Sequence, residues 1–304
     1  MKIAKIIGII ISTTAISAIS FWIGQQAYSW LPPEAAAESQ LVDNLISFLV
    51  TLGSFIFLGI AGTLTYSLLF HRAQKNDLSD GPNIKGSITL EIVWTAIPIL
   101  LVLWIANYSY QIYDQMGIRE PIESMHTPEI MKLAYASPQE ESHQHVEDID
   151  VIAKQWAWVF HYPERNITST ELHLPTGYRI HLSLTSEDVL HGFYIPAFRV
   201  KQDIIPNKIL DFEFTPIRKG KYLLTDSQYS GTYFATMQAD VVVESTDDFH
   251  NWLAKAANHR LHPANNQAAS EYAYLSSQPV KSGWATVVPA NPPMVNYDRS
   301  KDSY

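Results

Sequence analysis

Cysteine is missing from this chain of 304 residues. Its absence excludes disulfides, thiolate nucleophiles, iron–sulfur clusters and every metal site built on a thiolate. Charge is also scarce, because Asp, Glu, Lys and Arg make up 17% of the residues, against about 25% in an average soluble protein. The net charge of −9 argues against a nucleic-acid partner, which needs a basic surface. Dinucleotide, P-loop and G-x-S-x-G motifs are missing too, so no nucleotide site or hydrolase is predicted.

Apolar residues are concentrated in three runs without charge. The runs cover about 6–23, 46–70 and 92–105, and the third extends to Glu91 and Tyr113 without meeting Lys or Arg. A helix of about 20 apolar residues crosses a hydrocarbon core roughly 30 Å thick. Each run therefore predicts a transmembrane helix.

Basic residues indicate how these helices are oriented. They precede the first run and occupy the loop at 71–90, whereas the segment after the first run is acidic. Lys and Arg are retained on the cytoplasmic side of a membrane. We therefore expect the loop at 71–90, and the N-terminus if the first helix is retained, in the cytoplasm, and residues from Asp114 onward in a periplasm or lumen. The basic residues are Lys2, Lys5, Arg72, Lys75 and Lys85.

The first 33 residues have two interpretations. Ala35 and Ala37 fit the A-x-A pattern of a signal-peptide cleavage site. However, the apolar run is long for a signal peptide, and the pattern begins about a dozen residues beyond its end. Residues 1–33 are thus either a cleaved signal peptide or a retained anchor helix, followed by a helical hairpin at 34–113.

The exported part begins with a polar linker at 114–147. Short β-rich runs separated by turn signals follow from residue 148 and predict a sandwich or small barrel. Ser245 precedes a helix whose apolar face closes this domain at 258. Residues 259–304 are rich in Asn, Pro, Ser and Ala and predict a disordered tail. The predicted strands are 150–162, 171–174, 178–184, 192–199, 209–214, 221–225 and 235–244.

Four segments together resemble one known family. They read LEIVWTAIP at 90–98, QWAWVFHYPE at 155–164, DVLH at 188–191 and VKQDIIP at 200–206. In this order, they resemble subunit II of the haem–copper terminal oxidases, over roughly residues 40–258. The resemblance implies a membrane helical hairpin followed by an exported, all-β, cupredoxin-like sandwich.

The last loop of that domain departs from the family pattern. In the branch that oxidises cytochrome c, this loop reads Cys-x-Glu-x-Cys-x-x-x-His-x-x-Met and binds the dinuclear copper centre CuA. Aligned on Met237, this chain has Asp226 and Ser230 at the two cysteine positions and Phe234 at the histidine position. Gln228 stands where the family supplies a backbone carbonyl ligand.

Of the side-chain ligands only His191 and Met237 remain. Mixed-valence copper needs soft thiolates to delocalise its electron, whereas Asp and Ser offer hard oxygens. No CuA centre is therefore expected, and no metal ligand is assigned. His191, Asp226 and Met237 leave two alternatives open, a weak site for one metal ion or a loop held by hydrogen bonds.

The loop favours another branch of the family. The run at 227–237 resembles subunit II of cytochrome bo-type quinol oxidases, whereas 188–191 and 200–203 are closer to the cytochrome c branch. The combination most resembles the CuA-less subunit II of cyanobacterial alternative respiratory terminal oxidases. That resemblance implies a non-catalytic subunit without a cofactor of its own. Subunit I would hold the haems, CuB and the quinol site, and subunit III and membrane lipid are further expected partners.

Two more residues take roles from the resemblance. Glu91 matches the proton-entry glutamate of the family, although a carboxylate at a helix N-terminus also simply favours the helix dipole. Trp156 matches the tryptophan through which electrons enter in the family. Without copper these electrons have no acceptor, so the alternative is that Trp156 is an aromatic residue of the core. The alternative function is a cytochrome c oxidase subunit with a degenerate copper site.

Overall fold

The computed structural model describes residues 2–71, 86–116, 146–278 and 287–298. The chain forms two compact units. One comprises Met1–Leu31 and Leu41–Gln115, and the other comprises Pro32–Gln40 and Met116–Tyr304. The segment Pro32–Gln40, which the sequence assigned to the leader and the hairpin, thus belongs to the β-unit. Most of the predicted linker at 114–147 lies outside the described residues, as do Arg72, Lys75 and Lys85.

The first unit contains three long helices, α1 (Lys2–Trp30), α2 (Ser39–Phe70) and α3 (Ile88–Gln115). Their apolar stretches have mean hydropathies of 2.1 to 2.2, and at most 6% of each stretch is buried. The three predicted helices are therefore confirmed as long and apolar enough to cross a membrane. Phe48 joins α2 to α3, with ring centroids 5.2 Å from Trp104 and 5.0 Å from Tyr108.

The second unit is a sandwich of two five-stranded sheets. One sheet has the order β3-β2-β1-β5-β8 and the other β4-β10-β9-β6-β7. The pairs β1–β5 and β4–β10 are parallel, whereas the remaining pairs are antiparallel. The strands are β1 (Val146–Lys154), β2 (Ala157–Tyr162), β3 (Ile167–Ser169), β4 (Leu172–Pro175), β5 (Arg179–Ser186), β6 (His191–Ile195), β7 (Val200–Ile204), β8 (Leu210–Phe214), β9 (Gly220–Asp226) and β10 (Gln238–Glu244).

Side-chain alternation places the core between the two sheets. Along β5, Ile180, Leu182 and Leu184 are fully buried while the intervening residues are half-buried. This period of two is the one read from the sequence. The predicted strand at 150–162 is wrong as a single element, because β1 and β2 form a hairpin within it. No Gly or Pro marks that turn. Strands β3 and β7 were not predicted, since they are short or polar edge strands.

The helix predicted after Ser245 is confirmed as α4 (Thr246–Ala257). The Ser245 side chain accepts a hydrogen bond from the Asp248 amide and so caps the helix. Four residues of its inner face are buried, as its spacing predicts. They are Phe249, Trp252, Leu253 and Ala256.

A buried histidine ties α4 to the sandwich. The His173 ring stacks on Trp252 with a centroid distance of 3.9 Å. Its Nδ1 lies 2.9 Å from Glu244 and its Nε2 lies 3.4 Å from Glu171. Burial lowers the pKa of His173, but these two carboxylates outweigh burial and raise the pKa above its ordinary 6.5.

The prediction of a disordered tail is wrong for the described parts of 259–304. Helix α5 (Gln267–Ser276) begins at Asn266, whose Oδ1 accepts a 3.0 Å bond from the Ala269 amide. Strand β11 (His262–Pro263) pairs with β12 (Met294–Val295). The Asn296 amide donates to the Thr168 carbonyl at 2.8 Å. Caps and backbone bonds to an edge strand thus order a segment whose composition offers few apolar side chains.

Candidate functional site

The loop at 226–237 connects β9 to β10 in the second sheet. His191 opens the neighbouring strand β6, and Asp226 pairs with Phe193 of that strand. Because β6 and β9 are hydrogen-bonded neighbours, the sheet brings His191 and Asp226 together across 35 positions of sequence. The sequence-predicted residues His191, Asp226, Ser230 and Met237 are all buried here.

Asp226 is the centre of the loop. Its Oδ2 accepts bonds from the Ser230 hydroxyl at 2.7 Å and from His191 Nδ1 at 2.8 Å. Its Oδ1 accepts the Gly192 amide at 2.7 Å and the Gln228 amide at 3.0 Å. The side chain is 0% exposed, so these four donors replace the water that a carboxylate would otherwise need.

His191 lies between two carboxylates and is fully buried. Its Nδ1 faces Asp226, and its Nε2 lies 2.9 Å from Asp188. Burial lowers the pKa of His191, but the hydrogen bonds and charges of the two aspartates outweigh burial and raise the pKa above 6.5. Each ring nitrogen thus lies within hydrogen-bond distance of a carboxylate oxygen, an arrangement that favours the protonated ring.

The two carboxylates show the complementary shift. Burial raises the pKa of Asp226, but bonds from His191, Gly192, Gln228 and Ser230 more than offset it, so the pKa is lowered. Burial likewise opposes ionisation of Asp188, and bonds from His191 and two backbone amides lower its pKa. The opposite directions of these shifts are those of a histidine that interacts with two carboxylates.

Two tryptophans and a glutamine hold the far side of the loop. The Ser230 carbonyl accepts Gln155 Nε2 at 2.7 Å and the Trp156 indole at 3.2 Å. The Trp158 indole donates to the Met237 carbonyl at 3.2 Å. Gly231 has a φ of +117°, and a Cβ there would lie 2.8 Å from the Trp156 ring, so glycine lets the loop pass over the indole.

The remaining predicted positions lie in different surroundings. Gln228 turns towards β7, where its Nε2 donates to Asp203 at 2.8 Å. The Phe234 ring contacts the exposed Tyr229 ring at 5.3 Å. Trp156 is 2% exposed and belongs to the core of the sandwich. Glu91 belongs to the helical unit, in the first turn of α3, where it is exposed.

The donor set does not fit a dinuclear copper centre. Asp226 and Ser230 already bond each other, and Phe234 has no donor atom. The two nitrogens of His191 point from opposite edges of the ring to different carboxylates, Asp226 and Asp188. Across the described residues, no three His, Asp or Glu side chains are grouped to hold a metal ion.

Sequence reasoning assigned no role to Asp188 or Gln155. Asp188 binds His191 from three positions upstream and also accepts the Gln155 amide at 2.7 Å. The signal for Asp188 was its place in the DVLH motif. Gln155 likewise opens the motif at 155–164, but only the folded hairpin places its side chain against Ser230.

Two family models match separate parts of the chain. The first, described as cytochrome c oxidase subunit II, transmembrane domain, matches residues 22–112. The second, described as cytochrome c oxidase subunit II, periplasmic domain, matches residues 166–246. The matched ranges fall in the helical unit and in the β-sandwich, in that order.

Curated relatives extend over most of the chain. A cytochrome c oxidase subunit 2 from Thermostichus vulcanus is 32% identical over 267 residues, which cover 78% of this chain and 81% of the relative. A protein of the same name from Synechocystis is 30% identical over 281 residues and 84% of each chain. Subunit 2 of a cytochrome bo(3) ubiquinol oxidase from Buchnera aphidicola is 28% identical over 214 residues, covering 70% of this chain and 67% of the relative.

Proposed function

The chain belongs to the subunit II family of the haem–copper oxidases, and from this premise we propose that it serves a quinol-oxidising terminal oxidase without a CuA centre. Its place in the membrane, with an exported β-sandwich, follows from the family. Subunit I of the complex would carry the haems, CuB and the quinol site, and would reduce oxygen to water. Subunit III and membrane lipid are the other expected partners.

The four donors around Asp226 carry this proposal. A copper centre is a cation, so its shell must consist of acceptors such as thiolates, imidazole nitrogens and carbonyls. In this loop an anion occupies the middle and N–H and O–H groups surround it. The polarity of the site is therefore the reverse of what a metal needs. Without CuA, this loop offers no acceptor for electrons from cytochrome c.

The similarity to a ubiquinol oxidase subunit supports the same proposal. One observation favours the second candidate, a cytochrome c oxidase subunit with a degenerate copper site. The two relatives that are 30% and 32% identical both bear the name cytochrome c oxidase subunit 2. Those names do not supply the thiolates that this chain lacks, so we give the quinol candidate precedence.

This chain would contribute to turnover by supporting subunit I and by taking up protons. Its helices would pack against subunit I, and its β-sandwich would cover the outer face of that subunit. Glu91 would take up protons at the cytoplasmic end of α3, because a carboxylate at the membrane boundary can exchange protons with water. Trp156 would act through packing and its bond to the Ser230 carbonyl.

Oxygen uptake by the purified complex tests the proposal. Offered quinol and reduced cytochrome c in turn, the complex should consume oxygen with quinol alone, and its copper content should match CuB alone. Trp156→Phe should reduce quinol turnover no more than Trp158→Phe, since both indoles donate to one loop carbonyl. Fast oxidation of soluble cytochrome c that disappears at high salt would overturn the proposal and favour the second candidate.

A further inference from the structure

We infer that α1 is a permanent transmembrane helix of the mature subunit, and that the segment Pro32–Gln40 behind it is an added edge of the exported sandwich. The A-x-A pattern at Ala35 and Ala37 is then a packed part of the fold, and the chain stays intact across it. Two independent sets of contacts carry the inference, one made by the pattern and the adjoining Glu38, and the other made by α1, which precedes it.

Backbone pairing on the C-terminal side of β8 incorporates the segment into the sandwich. The Ala35 amide donates to the Ala197 carbonyl at 3.0 Å, and the Ile217 amide donates to the Ala35 carbonyl at 2.9 Å. The Ala37 amide donates to the Thr215 carbonyl at 2.9 Å. The bonds to Ile217 and Thr215 form an antiparallel bridge between Ala36 and Pro216.

Burial shows why alanines stand here. Ala35 and Ala36 are 0% exposed and belong to the hydrophobic core of the sandwich. Small side chains are what signal peptidase recognises, but they are also what a close-packed interior accepts next to a backbone. Cleavage after Ala37 would remove both alanines and leave their partners at Ala197, Thr215 and Ile217 without those backbone bonds.

A buried carboxylate secures the end of the segment. Glu38 is 7% exposed, and its Oε1 accepts a 2.8 Å bond from Arg179. Its Oε2 accepts the Thr215 amide at 3.1 Å, while Arg179 also reaches Glu213 at 3.0 Å. A cut after Ala37 would place a new charged amino terminus on this buried residue, at the cost of its desolvation.

Contacts between α1 and α2 form the second set. Ser20, Gly24 and Ala27 are buried on one face of α1. The Ser47 hydroxyl of α2 donates to the Gly24 carbonyl at 2.9 Å. A Cβ at Gly24 would overlap the Thr51 hydroxyl and lie 2.9 Å from the Ser47 carbonyl oxygen, so only glycine permits this approach. Small residues and interhelical hydrogen bonds are how membrane helices associate permanently.

A polar contact near the outer end of α1 extends this packing. The Tyr28 hydroxyl donates to Asn44 Oδ1 at 2.7 Å. Three crossings also place the Pro32–Gln40 segment and the sandwich on the same side of the membrane, as their pairing requires. A peptide that is discarded after export has no need of either contact set.

The mature N-terminus decides the first half of the inference. N-terminal sequencing and the intact mass of the subunit, taken from the purified complex, should show a chain that retains α1. A subunit that begins at Glu38, or at any residue between α1 and α2, would overturn the inference.

The absence of native cysteine allows a clean test of the packing. In the full complex, Tyr28→Cys with Asn44→Cys should be joined in high yield by a bifunctional maleimide whose spacer matches the length of the Tyr28–Asn44 contact. Trp22→Cys with Asn44→Cys is the matched control, because Trp22 is 62% exposed and lies away from the buried face. Equal cross-linking yields for the two pairs would contradict the packing of α1 on α2.

Discussion

Replacing the buried carboxylate at the centre of the loop tests the whole hydrogen-bonded arrangement. In Asp226→Ala, four donors lose their acceptor together, and one of them is the His191 ring, whose pKa Asp226 raises. The side chain is 0% exposed, so water does not already share these bonds. We expect the β-sandwich to be strongly destabilised.

The magnitude follows from the two kinds of bond that are lost. Removing one partner of a buried ion pair costs about 3–5 kcal/mol, and stranding a neutral buried donor costs about 1–3 kcal/mol. The donors share one carboxylate and relax together, so these costs are not additive. We therefore expect about 3–5 kcal/mol in total, which lowers the melting temperature by about 6–20 °C in a unit of this size.

Tryptophan fluorescence during thermal unfolding of the full complex is the assay, because Trp156 and Trp158 contact the loop. Asp226→Asn keeps Oδ1 for the two amides but replaces the Oδ2 that accepts from His191 and Ser230 with an NH2 donor. Two of the four donors then lose their acceptor, so it should show about half of the effect. Asp211→Asn is the control, since this aspartate is 39% exposed beside His181, and exposed pairs contribute about 0–1 kcal/mol. If Asp226→Ala melts within about 2 °C of Asp211→Asn, the loop does not depend on Asp226.

Three other changes address copper, protons and pH. A triple variant of the full chain should bind copper with the purple colour and EPR signal of a mixed-valence pair. Its substitutions are Asp226→Cys, Ser230→Cys and Phe234→His. Colourless protein would show that the loop has diverged too far. Glu91→Gln should slow oxygen consumption at normal haem content and subunit ratio, because an amide does not titrate. If this variant turns over at the wild-type rate across about pH 6–9, Glu91 is only a helix-end anchor. Because the folded state raises the pKa of His173, protonation of this residue stabilises the fold. The stabilisation is complete below about pH 6.5 and is lost as the pH rises through the pKa of His173 in the folded state. The melting temperature should therefore fall over that window in the wild type and stay flatter in His173→Gln, and equal slopes would contradict the role of the ion cluster.

Local patterns explain the parts of the fold that were predictable. Hydropathy adds up along a helix, so three apolar runs were sufficient to predict α1, α2 and α3. Alternation along β5 and the spacing of Phe249 in α4 were likewise visible, because each depends on neighbours a few positions away. The hairpin at Gln155 was missed because its turn contains neither Gly nor Pro.

The candidate site also has features that were predictable from the sequence and features that were not. The lack of thiolates at Asp226 and Ser230 is a property of the chain and excluded a thiolate ligand set at once. What replaces the ligands depended on pairing β6 with β9, which sets the His191 ring against Asp226. The sequence shows which donor and acceptor atoms the chain contains. Which of them form hydrogen bonds depends on which ones the fold brings into contact.

The sequence by itself thus determined the apolar helices, the all-β exported domain and the lack of any thiolate, because composition and short-range periodicity carry that information. Tertiary structure alone decided that Asp226 gathers four donors, that Pro32–Gln40 completes the sandwich and that part of the tail folds against β3. Each of these depends on backbone or buried polar groups finding partners far away in the chain. Such groups must be satisfied wherever the topology places them, and no local pattern records that place.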